Sequence, residues 1–241
     1  CSLETHWANA NGNQAKYSYR KIENGSKTTK ANTTLETALK DDKWDYISLQ
    51  QVSGKSGQYD TYKPYLSNLV NYVKGSATNK YMKLMLHQTW AYASYSNHTD
   101  FKNYGNDQMT MYSAIVNAVN EAASDQNISI IIPAGTAIQN GRTSFIGDNF
   151  TRLDNGDATR YYHLETTYGR YTAACVWFEK ITGKNVVGNT YAPKGLDEKT
   201  IKVAQTAAHM AVQSPNTVTE LVDFKKRVDS DLLAAPIYVD F

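Results

Sequence analysis

Cysteine is scarce in this sequence, and its scarcity excludes two classes of protein. Of 241 residues only Cys1 and Cys175 are cysteine, which is too few for a disulfide framework or a cysteine-based metal motif. Cys175 lies in an apolar run, so we expect a buried thiol. No two histidines have a metal-ligand spacing such as His-Glu-x-x-His. We therefore predict no metal site and no cofactor.

The chain also lacks an excess of charge of one sign and any long apolar run. Its 25 basic and 23 acidic residues give a formal net charge of +2, and no basic run is interleaved with aromatic residues. This balance argues against a nucleic-acid partner. No apolar stretch has the length of a transmembrane helix, so no membrane span is predicted.

Tyrosine, by contrast, is abundant. The 18 tyrosines suit contact with sugars, whose apolar faces stack on aromatic rings, although tyrosines also fill half-buried positions in many folds. No signal peptide is visible, so we expect either a cytoplasmic protein or a mature, trimmed export product. The tyrosines, with frequent Asn and Thr, favour export to a secreted, periplasmic or cell-surface location.

Apolar runs of strand length alternate with amphipathic stretches of helix length. We predict strands over 44–49, 81–86 and 128–132, and helices over 61–73, 107–123, 164–181 and 200–212. The β-α-β-α-β order predicts an α/β fold with a parallel sheet, helices on both faces, and the third strand in a central position. The length suits one domain, and we expect it to span residues 1–241.

Candidate site residues follow from this topology, because ligands of open α/β sheets bind beyond the carboxyl ends of the strands. Polar side chains occur there in residues 50–53, 87–90 and 133–136. A further polar cluster, 154–163, precedes the helix predicted from residue 164. We expect these segments to converge at one end of the sheet.

His163 is the candidate general base. It lies where a loop runs into a helix, and a neighbouring carboxylate, Asp154 or Asp157, could orient its ring. The alternative is a loop histidine that only makes hydrogen bonds. Gln50 and Gln51 end a predicted strand, where a side-chain amide either stabilises a developing oxyanion or satisfies loop backbone groups.

A nucleophile is the missing part. The sequence has no Gly-x-Ser-x-Gly elbow and no Gly-Asp-Ser motif, and the stretch 147–149, Gly-Asp-Asn, lacks the hydroxyl. Ser2 and Ser53 are available hydroxyls, but neither has a context that indicates activation.

Four stretches together resemble one known family. They are 1–6 (CSLETH), 45–53 (DYISLQQVS), 87–92 (HQTWAY), and His163-Leu164 followed by 169–175 (GRYTAAC). They are similar, in the same order, to successive blocks of a domain-of-unknown-function family that is common in gut bacteria and belongs to the SGNH hydrolase superfamily. The similarity runs from residue 1 to about residue 213.

This resemblance implies a three-layer α/β/α sandwich with a flavodoxin-like parallel sheet. It also implies a serine nucleophile in a Gly-Asn-Ser-Phe-Ser block on the first strand, followed by a Gly-Gly-Cys-Ser-Leu-Glu block. The present sequence starts at the Cys of that second block. We therefore expect the first strand and the nucleophile to precede residue 1, and Cys1 to be an internal residue of a longer protein rather than a lipidated first residue.

By the same resemblance His163 matches the base of the family. Gln51, with Gln50 as its rival, falls in the block that supplies the side-chain oxyanion donor. The superfamily usually has an Asp three residues before the base, and here Arg160 occupies that position. This leaves three alternatives, which are Asp157 as the third member, a Ser-His dyad, or an inactive domain.

The resulting hypothesis is a serine ester hydrolase acting on a small-molecule or glycan ester, with acetylated carbohydrate as the expected substrate. The expected substrate-binding residues are Gln50, Ser53, His87, Trp90 and Tyr92. The alternative is a non-catalytic glycan-binding domain on the same scaffold, which the departure at Arg160 favours. A nucleotide-binding flavodoxin-like domain is a third possibility, but the Gly-rich phosphate loop that it needs is absent.

Overall fold

The computed structural model describes residues 1–152 and 162–227. The chain divides into two units, Cys1–Gly135 and Thr136–Phe241, which are described separately. The prediction of one domain over residues 1–241 stays a prediction. No helix within the described ranges has the length and apolarity to cross a membrane.

The first unit holds the sheet and most of the helices. In chain order its elements are α1 (Leu3–Asn11), β1 (Tyr17–Glu23), β2 (Ser26–Thr33), α2 (Leu35–Lys40), β3 (Tyr46–Leu49), α3 (Tyr65–Ser76), β4 (Lys83–His87), α4 (Gln108–Asp125), β5 (Ile130–Ile132) and the start of α5 (Ala134–Arg142).

The three predicted strands form a parallel sheet in the order β3-β4-β5, which confirms a mixed α/β fold. Leu49 pairs with Leu86, and His87 pairs with Ile132. The carboxyl ends of the three strands therefore lie at the same end of the sheet, which we call the carboxyl edge. The expectation of a central third strand is wrong for the described residues. There β4 is central and β5 lies at an edge, because no further strand pairs with it. The finer prediction of a three-layer sandwich stays a prediction.

The helices between these strands occur where their apolar periodicity predicts them, with shifted starts. Helix α3 begins at Tyr65 rather than at Thr61, because Pro64 disfavours helical backbone at the preceding Lys63, which is extended. Helix α4 begins after its N-cap Asp107, whose side chain accepts a hydrogen bond from the Thr110 amide. The inward face of α4 carries Met111 and not the exposed Met109.

An antiparallel hairpin, β1–β2, precedes the sheet, whereas the sequence pattern predicts only a turn at 24–26. Asn24 and Gly25 both have positive φ, 50° and 78°, as a tight two-residue hairpin turn requires. The hairpin is anchored by polar contacts. Lys21 Nζ lies 2.9 Å from Asp41 Oδ2, and the Tyr19 hydroxyl donates to the same oxygen. Its strands are mostly exposed, so they carry no apolar signal in the sequence.

The second unit is helical in its described part. Helix α6 (Tyr168–Thr182) packs against α7 (Glu198–Gln213), and Gly183 ends α6 in the left-handed conformation that glycine readily adopts. The predicted start of α6 at Leu164 is wrong, since Leu164 is not helical. For the tail 222–241 the sequence predicts a segment that wraps the domain or adds an edge element, and residues 228–241 of this tail lie outside the described residues.

Candidate functional site

The carboxyl ends of β3 and β4 bring several of the predicted site residues to one edge of the sheet. Gln50 and Gln51 follow β3 directly, Ser53 opens a short 3₁₀ turn, and His87 is the last residue of β4. Trp90 comes three residues later and is half-buried. These polar residues therefore lie together at the carboxyl edge, as the sequence predicts. Their roles follow from their contacts.

Gln51 holds this edge together through its side-chain amide. The residue is only 1% exposed. Its Oε1 accepts hydrogen bonds from the Leu3 amide at 3.0 Å and the Val52 amide at 2.9 Å. Its Nε2 donates to the carbonyl and the hydroxyl oxygens of Thr61, both at 3.0 Å. All hydrogen-bonding positions of the amide are engaged, so Gln51 fastens the start of α1 and the 3₁₀ turn at Thr61 to the end of β3.

Gln50 is the amide that stays available. Its side chain is exposed and forms no hydrogen bond within the described ranges. Adjacent residues at the end of a strand point to opposite sides, which explains why one glutamine is buried and its neighbour faces solvent. Of the two candidates for an oxyanion donor, the geometry favours Gln50, while Gln51 would have to release Thr61 first.

Ser53 and Tyr92 form a pair behind the edge. Ser53 Oγ lies 3.1 Å from Tyr92 Oη, and the Tyr92 ring is fully buried. That ring packs against His98 and Phe101, with centroid separations of 4.8 and 5.7 Å. A ring with no exposed surface cannot stack on a sugar. Tyr92 instead positions Ser53 at the carboxyl edge through the hydrogen bond between their hydroxyl groups. His98, to which the sequence pattern gives no role, accepts a hydrogen bond at Nδ1 from the Asp100 amide.

His87 is a buried histidine at the end of the central strand. It is 9% exposed, and its ring contacts Trp90 edge-on at a centroid distance of 6.3 Å. Burial lowers the pKa of His87 to about 4, because the charged ring would lose its hydration. His87 is therefore neutral at pH 7 and contributes a neutral imidazole to the edge.

This pKa predicts an acid-dependent loss of stability. The folded-state pKa lies below the ordinary histidine pKa of 6.5 that the unfolded chain has, so below pH 6.5 the unfolded chain binds the proton more readily. Between pH 7.5 and pH 5 the free energy of unfolding should fall by up to about 2 kcal/mol from His87 alone. Urea unfolding of the wild type and of His87→Gln at both pH values measures this, and the variant should lose less by that amount. Equal losses in the two proteins would contradict the assignment.

Gly135, at the start of α5, lies close to the backbone of Gln88 and Thr89, which follow β4. Its amide donates to the Gln88 carbonyl at 3.0 Å. A Cβ at this position would lie 2.0 Å from the Thr89 carbonyl oxygen, so only glycine allows this approach. The sequence of residues 133–135, Pro-Ala-Gly, predicts a turn, but helix α5 begins at Ala134.

His163 belongs to the second unit. It is half-buried, and its ring lies 4.5 Å from the Tyr162 ring, measured between centroids. The backbone that follows it is fixed by Glu165. The Glu165 amide donates to the Phe150 carbonyl, and its buried carboxylate accepts hydrogen bonds from the amides of Thr167 and Gly169. The predicted Asp157, with Asp154 and Arg160, lies outside the described residues.

Other reactive groups have structural roles. The Ser2 hydroxyl caps α1 by accepting a hydrogen bond from the Thr5 amide. Burial raises the pKa of Cys175 to about 11, so its thiol is inert at neutral pH. The sequence pattern does not reveal a pair in which the buried Glu179 accepts a hydrogen bond from the half-buried His209 at 2.7 Å, because the partners are 30 residues apart. No group of three metal-binding side chains occurs in the part of the chain that the structure describes.

The fold and this edge define an α/β protein with polar side chains at the carboxyl ends of a parallel sheet. The chain belongs to the family described as "Domain of unknown function (DUF4886)", which matches residues 1–211. It is similar to a DUF4886 family protein from Bacteroides uniformis ATCC 8492 of known crystal structure. The two are 53% identical, with a TM-score of 0.88 over 93% of this chain and 84% of that chain. No curated protein matches the chain. The predicted membership of a domain-of-unknown-function family is confirmed, and its SGNH superfamily assignment stays a prediction.

Proposed function

We propose that this protein is a serine ester hydrolase of the SGNH type that removes acyl groups, acetyl above all, from carbohydrate. The observation that carries the proposal is the difference in environment between two neighbouring glutamines at the carboxyl edge. Gln51 is buried and fully bonded, while the neighbouring Gln50 presents an unengaged amide to solvent. A solvent-facing amide next to a buried, fully bonded neighbour can donate to the oxyanion of a tetrahedral intermediate.

The proposal needs a serine on a strand next to β3. In the described residues one edge of β3 has no partner strand. Ile47 and Leu49 on this strand are only half-buried. A further parallel strand at this edge would cover them and complete the backbone hydrogen bonding of β3. We assign the nucleophile to such a strand, N-terminal to Cys1, and with it the three-layer sandwich.

In the mechanism that we propose, the serine hydroxyl attacks the acyl carbon and His163 accepts its proton. The tetrahedral oxyanion then accepts a hydrogen bond from Gln50. His163 next returns the proton to the leaving alkoxide, and water repeats the sequence on the acyl-enzyme. Asp157 orients the imidazole and stabilises its charged form. Gln51 supports the loop that carries Gln50.

The proposed carbohydrate substrate is based on the aromatic side chain at the carboxyl edge, Trp90. Trp90 is half-buried and contacts the His87 ring edge-on, and we propose that its indole ring stacks on a sugar. Ser53, which follows β3, is the proposed hydrogen-bonding partner of that sugar. A glycan substrate fits a secreted, periplasmic or cell-surface location in a bacterium, which we propose for this protein. The second candidate is a glycan-binding domain without catalysis, because Arg160 stands where the superfamily usually has an Asp.

The two glutamines provide the test of this mechanism. In the full native polypeptide, Gln50→Ala should lower kcat for an aryl acetate about 10²-fold, because one oxyanion donor is lost. The thermal midpoint should not change, since the Gln50 side chain is exposed and makes no hydrogen bond with any residue that the structure describes. Gln51→Ala serves as the matched control and should lower the thermal midpoint, while each folded molecule keeps most of its activity.

Opposite results would decide against this assignment. Full activity in Gln50→Ala would remove the oxyanion role. No turnover by the wild type, together with saturable binding of an acetylated oligosaccharide, would favour the glycan-binding domain.

A further inference from the structure

Three lysines line one pocket at the amino end of the parallel sheet. This amino-end pocket has a volume of about 420 Å³. Its lining comes from the end of α3, the start of β4, and the connection from α4 to β5, and consists of Lys74, Lys80, Met82, Lys83, Leu84, Gln126, Asn127, Ile128 and Ser129. Lys83 starts β4 and His87 ends it, so the pocket lies about 13 Å from the carboxyl edge.

The pocket carries uncompensated positive charge. No acidic side chain lines it. Each ammonium group, on Lys74, Lys80 and Lys83, is without an ion-pair partner among residues 1–152 and 162–227. The nearby Asp45 carboxylate accepts a hydrogen bond from the Asn79 amide instead. Three like charges around one concavity repel one another, and an anion between them relieves that repulsion.

Two of the amines are held in place by contacts that leave their charge intact. Lys80 Nζ donates to the carbonyl of Ala77 at 3.0 Å and to that of Lys74 at 3.4 Å. Lys83 Nζ lies 5.8 Å from the centre of the Tyr46 ring, in a cation–π contact. Such restraint lowers the side-chain entropy that is lost when a ligand binds. The side chains of Asn127 and Ser129 are exposed at the rim and add hydrogen-bond donors.

We propose that the amino-end pocket binds a tetrahedral oxyanion, namely a phosphate or sulfate group. A doubly charged oxyanion matches three ammonium groups better than a single carboxylate does, and lysine is a common point-charge ligand of phosphate. The volume admits the sugar that carries such a group as well as the free ion. This site is independent of the proposed ester hydrolysis.

The test uses inorganic phosphate, inorganic sulfate and dextran sulfate as probes, with dextran as the neutral reference. Isothermal titration with the whole chain should show saturable binding of an oxyanion that weakens with added NaCl, because salt screens the lysines. Lys74→Gln/Lys83→Gln should weaken this binding at least about tenfold. Lys80 is left in place, because it also satisfies the last carbonyls of α3.

The matched control is Lys184→Gln/Lys194→Gln, which removes the same charge from exposed positions outside the pocket. It should bind like the wild type. The preference among phosphate, sulfate and dextran sulfate then identifies the source of the oxyanion. The absence of saturable binding for all three probes would overturn the proposal and leave the lysines as complements of the helix dipoles. Equal weakening in the pocket variant and the control would overturn it too.

Discussion

Replacing His163 with alanine in the full native polypeptide is expected to lower kcat for an aryl acetate by at least about 10³-fold. Without a base the serine hydroxyl stays protonated and is a weak nucleophile at neutral pH. The fold should tolerate the change. His163 is half-buried. The backbone after it is held by Glu165, which forms hydrogen bonds with backbone groups of Phe150, Thr167 and Gly169.

His98→Asn is the matched control for this prediction. His98 is also half-buried, and its Nδ1 accepts from the Asp100 amide, a bond that an asparagine oxygen can replace. The control should keep the wild-type kcat. If both variants retained activity, His163 would not be the base, and if both lost it, the loss would reflect structure rather than proton transfer.

Gly135→Ala is expected to have the largest effect on stability, at least about 3 kcal/mol of unfolding free energy or a failure to fold. The added Cβ would lie 2.0 Å from the Thr89 carbonyl oxygen and 3.0 Å from Gln88 Oε1. Backbone cannot yield as a flexible side chain does. The start of α5 would have to move away from the end of β4, and the hydrogen bond from Gly135 to Gln88 would be lost.

Gly75→Ala is the matched control, because it makes the same glycine-to-alanine change at a position where the added Cβ causes no steric clash. Gly75 also lies in a helix, α3, and a Cβ there meets nothing within 4 Å. This variant should be unchanged or more stable by up to about 1 kcal/mol, because alanine is the better helix former. Urea unfolding followed by circular dichroism measures both proteins. Similar stability for the two variants would show that the close approach at Gly135 is not what requires glycine.

The sheet could be predicted because its strands are short apolar runs separated by amphipathic helices. The runs at 46–49, 83–87 and 130–132 pair in parallel as expected. The hairpin β1–β2 escaped prediction because its strands face solvent and are held by polar anchors such as Lys21. Helix α1 depends on long-range contacts, including the bond from Leu3 to Gln51, which no local pattern reveals.

The sequence predicts which residues lie at the carboxyl edge, but it does not predict the role of each residue there. Gln50 and Gln51 are the same residue type in adjacent positions, and only the fold shows that Thr61 and Leu3 engage Gln51. Tyr92 follows the strand like a cleft residue, but Phe101 and His98 cover its ring. Exposure of an aromatic side chain depends on what packs over it, and that information is non-local.

The most direct test of the proposed esterase is fluorophosphonate labelling of the full native polypeptide, with the modified peptide mapped by mass spectrometry. The expected result is a label on a serine N-terminal to Cys1, and the loss of this label in His163→Ala. An intact serine at that place that takes no label, with no turnover of aryl acetates, would contradict the account and leave a glycan-binding domain on an esterase scaffold.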